Sequence, residues 1–91
     1  MPKYIIERNL AGVGALTSKD LRGAALKSND ALRALAPSVQ WIESYVTIDK
    51  LYCVYIAENE EFVREHAKRS GFSADSVTEV RRRIDPTTAE R

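Results

Sequence analysis

Residues 39–57 read Val39-Gln40-Trp41-Ile42-Glu43-Ser44-Tyr45-Val46-Thr47-Ile48-Asp49-Lys50-Leu51-Tyr52-Cys53-Val54-Tyr55-Ile56-Ala57. Two β-rich runs, 39–48 and 51–57, flank Asp49-Lys50, the pattern of a tight antiparallel hairpin. With those two residues as the loop, Ile48 opposes Leu51, Val46 opposes Cys53, Ser44 opposes Tyr55 and Ile42 opposes Ala57. Side chains alternate along a strand, so these residues share one face. Trp41, Glu43, Tyr45 and Thr47 share the other face with Tyr52, Val54 and Ile56. The first set is small and aliphatic and suits a layer of helices. The second is aromatic and amphipathic, too apolar to be left in water.

Upstream, Tyr4 to Leu10 is a third β-rich run, closed by a loop with Gly12 and Gly14. Thr17, with Asp20 three residues on, marks a helix start, and Leu16 can staple onto Leu21. Leu21, Ala25, Ser28, Leu32 and Leu35 recur at helical spacing until Pro37 ends the pattern near Ala36. Downstream, Asn59 caps a second helix with Glu60 and Glu61 in its first turn. Phe62, Val63, His66, Ala67 and Ser70 form its inward face, and Gly71 is its natural C′ residue. Val77 to Ile84 reads as a last strand, stopped by Asp85-Pro86, and residues 87–91 as a loose tail.

The order is βαββαβ. It predicts one α+β domain over residues 1–91, a ferredoxin-like sandwich with a four-stranded antiparallel sheet and two helices on one face. The helices leave the other face open. Trp41, Tyr45, Tyr52, Val54 and Ile56 on that face predict a homodimer, since two-fold dimers are the commonest soluble oligomers. The competing expectation is a monomer whose C-terminal tail folds back across the sheet.

Composition narrows the partners. The 91 residues carry 14 Lys plus Arg against 13 Asp plus Glu, a net charge of +1. So balanced a chain has no global field for a phosphate backbone, so nucleic acid is not expected. No apolar run approaches the ~20 residues of a membrane span. Met1-Pro2-Lys3 leads straight into a strand-like segment without a signal peptide, so a cytoplasmic location is expected. The single cysteine, Cys53, excludes an internal disulfide and a zinc site of several thiolates. Gly12-Val13-Gly14 lacks the continuation of a phosphate loop.

Few residues carry chemistry. His66 is the sole histidine, and it shares the helix–sheet layer with Cys53. A thiolate beside an imidazole is a soft metal pair or an activated nucleophile. The structural alternative is a hydrogen-bonded core histidine and an inert buried cysteine. Cavity candidates fall on both sides of the sheet: Glu7, Glu43 and Tyr45 on the open face, Ser44 and Tyr55 on the helix side. A carboxylate in an aromatic cavity would have a raised pKa and serve as a general base; pairing with an arginine such as Arg8 or Arg81 is the plainer reading. Glu61 and Glu65 suit a solvated helix face as well as a loose cation site. Arg81-Arg82-Arg83 reads as edge-strand protection.

Several stretches resemble a family of small bacterial proteins grouped as a domain of unknown function, one member of which is described as nickel-binding. They are Ile6-Glu7-Arg8, Trp41 with Ser44-Tyr45-Val46-Thr47, Tyr52-Cys53-Val54-Tyr55-Ile56-Ala57, Glu65-His66-Ala67 before Gly71-Phe72-Ser73-Ala74, and Ile84-Asp85-Pro86. The resemblance runs from about Pro2 to Pro86. It implies a ferredoxin-like dimer and surface binding or sequestration of nickel, the one cofactor it suggests, without assigning the ligands. One His and one Cys are a thin donor supply for that metal. Ser73 stands where the family often has Pro. The function expected is therefore a dimeric, non-catalytic binding protein for a metal ion or small ligand. The alternative is a cofactor-free enzyme of the dimeric α/β-barrel kind, a monooxygenase or isomerase. It requires His66, Cys53 and Tyr55 to line an open pocket.

Overall fold

The computed structural model describes residues 1–90. The elements in chain order are β1 (Lys3–Asn9), α1 (Ser18–Leu35), β2 (Val39–Val46), β3 (Lys50–Ala57), α2 (Glu60–Ser70) and β4 (Ser76–Glu79). The strands form one sheet in the order β2-β3-β1-β4, antiparallel at every pairing. This is the ferredoxin-like α+β sandwich. Among the described residues no helix is long and apolar enough to cross a membrane.

Local chemistry sets the helix ends. The Thr17 hydroxyl accepts from the Asp20 N–H at 3.1 Å, and the Asp20 carboxylate accepts from the Thr17 N–H at 3.1 Å. This reciprocal box satisfies two donors the first turn would otherwise leave unpaired. The Asn59 side chain accepts from the Phe62 N–H at 3.1 Å. Gly71 ends α2 at φ 77°, a left-handed conformation that glycine adopts without a Cβ clash. Gly14 serves a different need: a Cβ there would meet the Thr47 carbonyl oxygen at 2.7 Å, so the loop before α1 can lie against the β2–β3 turn.

The core sits between sheet and helices. Tyr4 and Ile6 of β1, Val39 of β2, Cys53, Tyr55 and Ala57 of β3 and Val63 of α2 are buried, with Leu32, Leu35, Phe62 and Val77 packed against them.

The hairpin register differs from the expected one in two ways. The loop is longer: Val46 opposes Leu51, and Thr47 N–H donates to the Lys50 carbonyl at 2.9 Å. This moves the pairing by two residues, so Ser44 opposes Cys53, Glu43 opposes Val54 and Tyr45 opposes Tyr52. An even shift keeps each of these on its expected face. A β-bulge at Ile42 then inserts one unpaired residue and reverses the alternation beyond it. Trp41 opposes Tyr55 and Val39 opposes Ala57. Trp41 therefore belongs to the helix side, not to the open face, and leaves the set expected at the dimer interface. Ile42, expected inside, is exposed. The bulge is tied by the Trp41 indole N–H, which donates to Ser44 Oγ at 2.9 Å.

The last strand is shorter than its β-rich sequence. β4 ends at Glu79, opposite Tyr4, and Val80 N–H donates to the Lys3 carbonyl at 2.8 Å. Lys3 is the first residue of β1, so the sheet offers nothing further to pair with. Arg81-Arg82-Arg83 thus lies beyond the strand rather than on an edge, with Arg81 held by Glu79 and Arg83 by Asp85. The expected loose tail forms a 3₁₀ turn, Pro86–Glu90, capped by the Asp85 carboxylate on Thr87; Arg91 lies outside the described residues.

Candidate functional site

α1 faces the sheet with Ala24, Ala25 and Ser28, and the sheet answers with Ser44 and Cys53, paired across β2 and β3. Small side chains on both layers leave a cavity of about 190 Å³. Leu21, Val46, Leu51 and the rings of Trp41 and Phe72 complete an apolar wall. Among the described residues Arg8 is the only charged one on it, and no carboxylate lines it.

Arg8 follows Tyr4 and Ile6 on the inward side of β1 and is 2% exposed. Its Nη1 donates to the Ser73 carbonyl at 2.9 Å and its Nη2 to the Tyr55 hydroxyl at 3.3 Å. The guanidinium carbon lies 5.5 Å from the centre of the Phe72 ring. Nε has no partner. Among the described residues no carboxylate forms an ion pair with Arg8. A buried charge without a counter-charge costs on the order of several kcal/mol.

Tyr55 stands between Arg8 and α2. Burial pushes its hydroxyl up to about 12, against the opposing pull of Arg8 and Ser28. At neutral pH it keeps its proton, free to donate and to accept hydrogen bonds but not to act as a base. Behind it lies His66, wholly buried, its ring centre 5.0 Å from that of Tyr55. Nε2 sits 3.1 Å from Ser28 Oγ and 3.3 Å from the Ser28 carbonyl oxygen, while Nδ1 has no partner. Burial lowers the His66 pKa and the Arg8 charge adds to that, while the bond to the Ser28 carbonyl works the other way. The ring is therefore neutral at physiological pH.

Of the residues singled out in the sequence, Ser44, Cys53 and Tyr55 line the cavity. His66 does not. Its hydrogen-bonding neighbour is Ser28 of α1, and no hydrogen bond joins it to Cys53, a free and buried thiol. Glu7, Glu43 and Tyr45 lie on the opposite face of the sheet, away from the cavity. There Lys50 Nζ donates to Glu7 at 2.7 Å and the Tyr45 hydroxyl donates to Glu43 at 2.9 Å. Arg8, expected as an ion-pair partner for a glutamate, pairs with neither Glu7 nor Glu43 and is instead a buried cation on the cavity wall, where the Tyr4-Ile6-Arg8 alternation places it.

Residues 4–80 match the model of the family described as nickel responsive protein SCO4226-like. The chain belongs to this family. Among solved structures it is similar to that of SCO4226 from Streptomyces coelicolor A3(2), with a TM-score of 0.76 and 19% identity over 90% of this chain and 99% of that one. At that identity the likeness is one of fold. No curated protein sequence matches the chain.

The family's description raises nickel, and the side chains present do not fit that ion within one chain. Among the described residues no three His, Cys, Asp or Glu side chains gather where they could hold a metal. The one free imidazole nitrogen, His66 Nδ1, is sealed in the core.

Proposed function

We propose that the chain is a non-catalytic binding protein that holds a small ligand between α1 and the sheet, and that it pairs with a second copy through its open sheet face. The cavity carries the first part. Its wall is mostly apolar, with four polar side chains, Arg8, Ser28, Ser44 and Tyr55, converging on it. That is the composition of a small-molecule site. Its volume of about 190 Å³ exceeds the ~150 Å³ of an engineered cavity that binds benzene. The apolar open face supports the second part. It also carries both signs of charge, Lys3 and Lys50 beside Glu7 and Glu43, which suits a face that meets its own copy.

Trp41, the sole tryptophan, lines the cavity and reports its occupancy. Titration with benzyl alcohol is expected to change its emission saturably. Ala25→Leu, which fills part of the cavity, should abolish that response in a protein that still folds. A linear, unsaturable response in the parent chain would count against the reading.

Nickel stands as a second reading, favoured by the family's description; an ion would reach the unpaired His66 Nδ1 only if the core around it opened. Calorimetric titration with nickel tests it: saturable heat lost in His66→Ala would put the metal first. A cofactor-free enzyme has less support. The only histidine is sealed, Tyr55 stays protonated and among the described residues no carboxylate lines the cavity, which leaves the Cys53 thiol as its one nucleophile of note.

A further inference from the structure

Arg8 brings to the cavity a positive charge that no ion pair among the described residues neutralises. A guanidinium keeps its proton under all physiological conditions, so the charge is permanent. Each of its partners is neutral: the Ser73 carbonyl, the Tyr55 hydroxyl and the Phe72 ring. Nε has none. The Asp75 carboxyl is held below the usual range chiefly by hydrogen bonds from the Asn9 N–H and the Ser73 hydroxyl, with a smaller contribution from the Arg8 charge. Yet that carboxylate is engaged by the Asn9 N–H at 2.6 Å and the Ser73 hydroxyl at 3.0 Å, and it forms no ion pair with Arg8.

The neighbouring polar groups are donors. The Tyr55 oxygen accepts from Arg8, which leaves its own proton to give. Ser44 Oγ accepts from the Trp41 indole, which leaves the serine proton to give. A fork-shaped cation flanked by hydroxyl donors matches a carboxylate. One cation in a wall with no other charged side chain among the described residues fits a single negative charge; a dianion would carry excess charge into a low dielectric. The remaining space is bounded by aromatic and aliphatic side chains and suits a flat apolar body.

We propose that this cavity binds a flat monocarboxylate of about the size of benzoate, its carboxylate on Arg8 and Tyr55 and its ring against Trp41. This rests on the ligand-binding reading above and names the ligand class.

Benzoate and benzyl alcohol differ in charge and little in size, and both are read by Trp41 emission at about pH 7. Benzoate is expected to saturate the protein at a concentration about tenfold or more lower than benzyl alcohol, the factor expected of a charge-assisted bond. Arg8→Gln should bring benzoate down to the level of the alcohol, and Arg8→Lys, which keeps the charge without the fork, should fall between. The parent-chain comparison needs no variant to fold. Equal binding of the two probes overturns the carboxylate inference and leaves the ligand-binding reading standing. Saturation by neither overturns that reading as well. A folded Arg8→Gln that keeps the preference for benzoate overturns the role given to Arg8.

Discussion

At His66 the chain buries an imidazole whose charged form the fold disfavours, and this couples stability to pH. The unfolded ring titrates near ~6.5. In the folded chain its pKa is lowered, chiefly by burial and further by Arg8, with the Ser28 carbonyl opposing. Below ~6.5 the unfolded chain therefore takes up a proton that the folded chain refuses. The stability His66 contributes is complete above that value and is lost as pH falls toward the lower folded pKa. Asp75 and Asp85 also have lowered pKa values, but from an unperturbed value of 3.8, so their effect comes at more acid pH. The melting temperature should thus fall between about pH 7 and pH 5, and His66→Gln should flatten that slope. His66→Ala should also cost about 1–3 kcal/mol through lost packing and unpaired groups on Ser28. An unchanged slope in a folded variant would rule out His66 as the source. The position of His66 on the inner face of α2 was legible from its spacing with Val63 and Ala67. Its partner was not, because Ser28 comes from α1 and the helix–helix contact depends on how both pack on the sheet. Arg8 was obscured by its charge, which outweighed a strand alternation that put it inside.

The elements themselves were legible wherever a local signal was strong. Thr17 with Asp20, Asn59 and Gly71 mark helix ends through hydrogen bonds or backbone angles that depend on nearby residues alone. The β2–β3 pairing was not, because register depends on loop length and on a bulge that alternation cannot show. The second departure bears on the site: the bulge at Ile42 turns Trp41 toward Tyr55 and onto the cavity wall. Its geometry also yields a test. Trp41 opposes Tyr55 and Glu43 opposes Val54, consecutive partners on β3. Removing Ile42 alone would leave a regular ladder with every other residue on its present face. The Ile42 deletion should fold, keep the emission maximum that the half-buried Trp41 has in the parent chain and shift the melting temperature by only a few degrees, an effect of order 1 kcal/mol. A red-shifted emission would mean that the deletion had slipped the register and turned Trp41 outward. β4 teaches the same lesson at a sheet edge. Its β-rich sequence runs on, but the strand stops where β1 has no residue left to pair.

For the whole molecule, the sheet is the dividing plane. One face carries both helices, the core and the cavity. The other carries Ile5, Tyr45, Tyr52, Val54 and Ile56 under no helix, with Tyr45 56% and Ile5 40% exposed. Apolar surface gathered on one face of a small fold is the kind that a partner covers, and a small fold gains more from such burial than a large one. A second copy offers the same patch through a two-fold axis. The departure of Trp41 to the helix side removes one large residue from that patch but leaves both tyrosines, whose cross-strand pairing forms its aromatic centre. Sedimentation velocity at tens of micromolar should therefore give a dimer for the parent chain and a shift to monomer for Tyr45→Glu, which would bury an unpaired carboxylate in the interface. Tyr45 lies on the far side of the sheet from the cavity, so the monomeric variant should still respond to benzyl alcohol through Trp41. A parent chain that sediments as a monomer would remove the dimer without touching the cavity. A Tyr45→Glu variant that lost both properties would show instead that the sheet had been disrupted, and the conservative Tyr45→Ser, with no added charge, would then separate unfolding from dissociation.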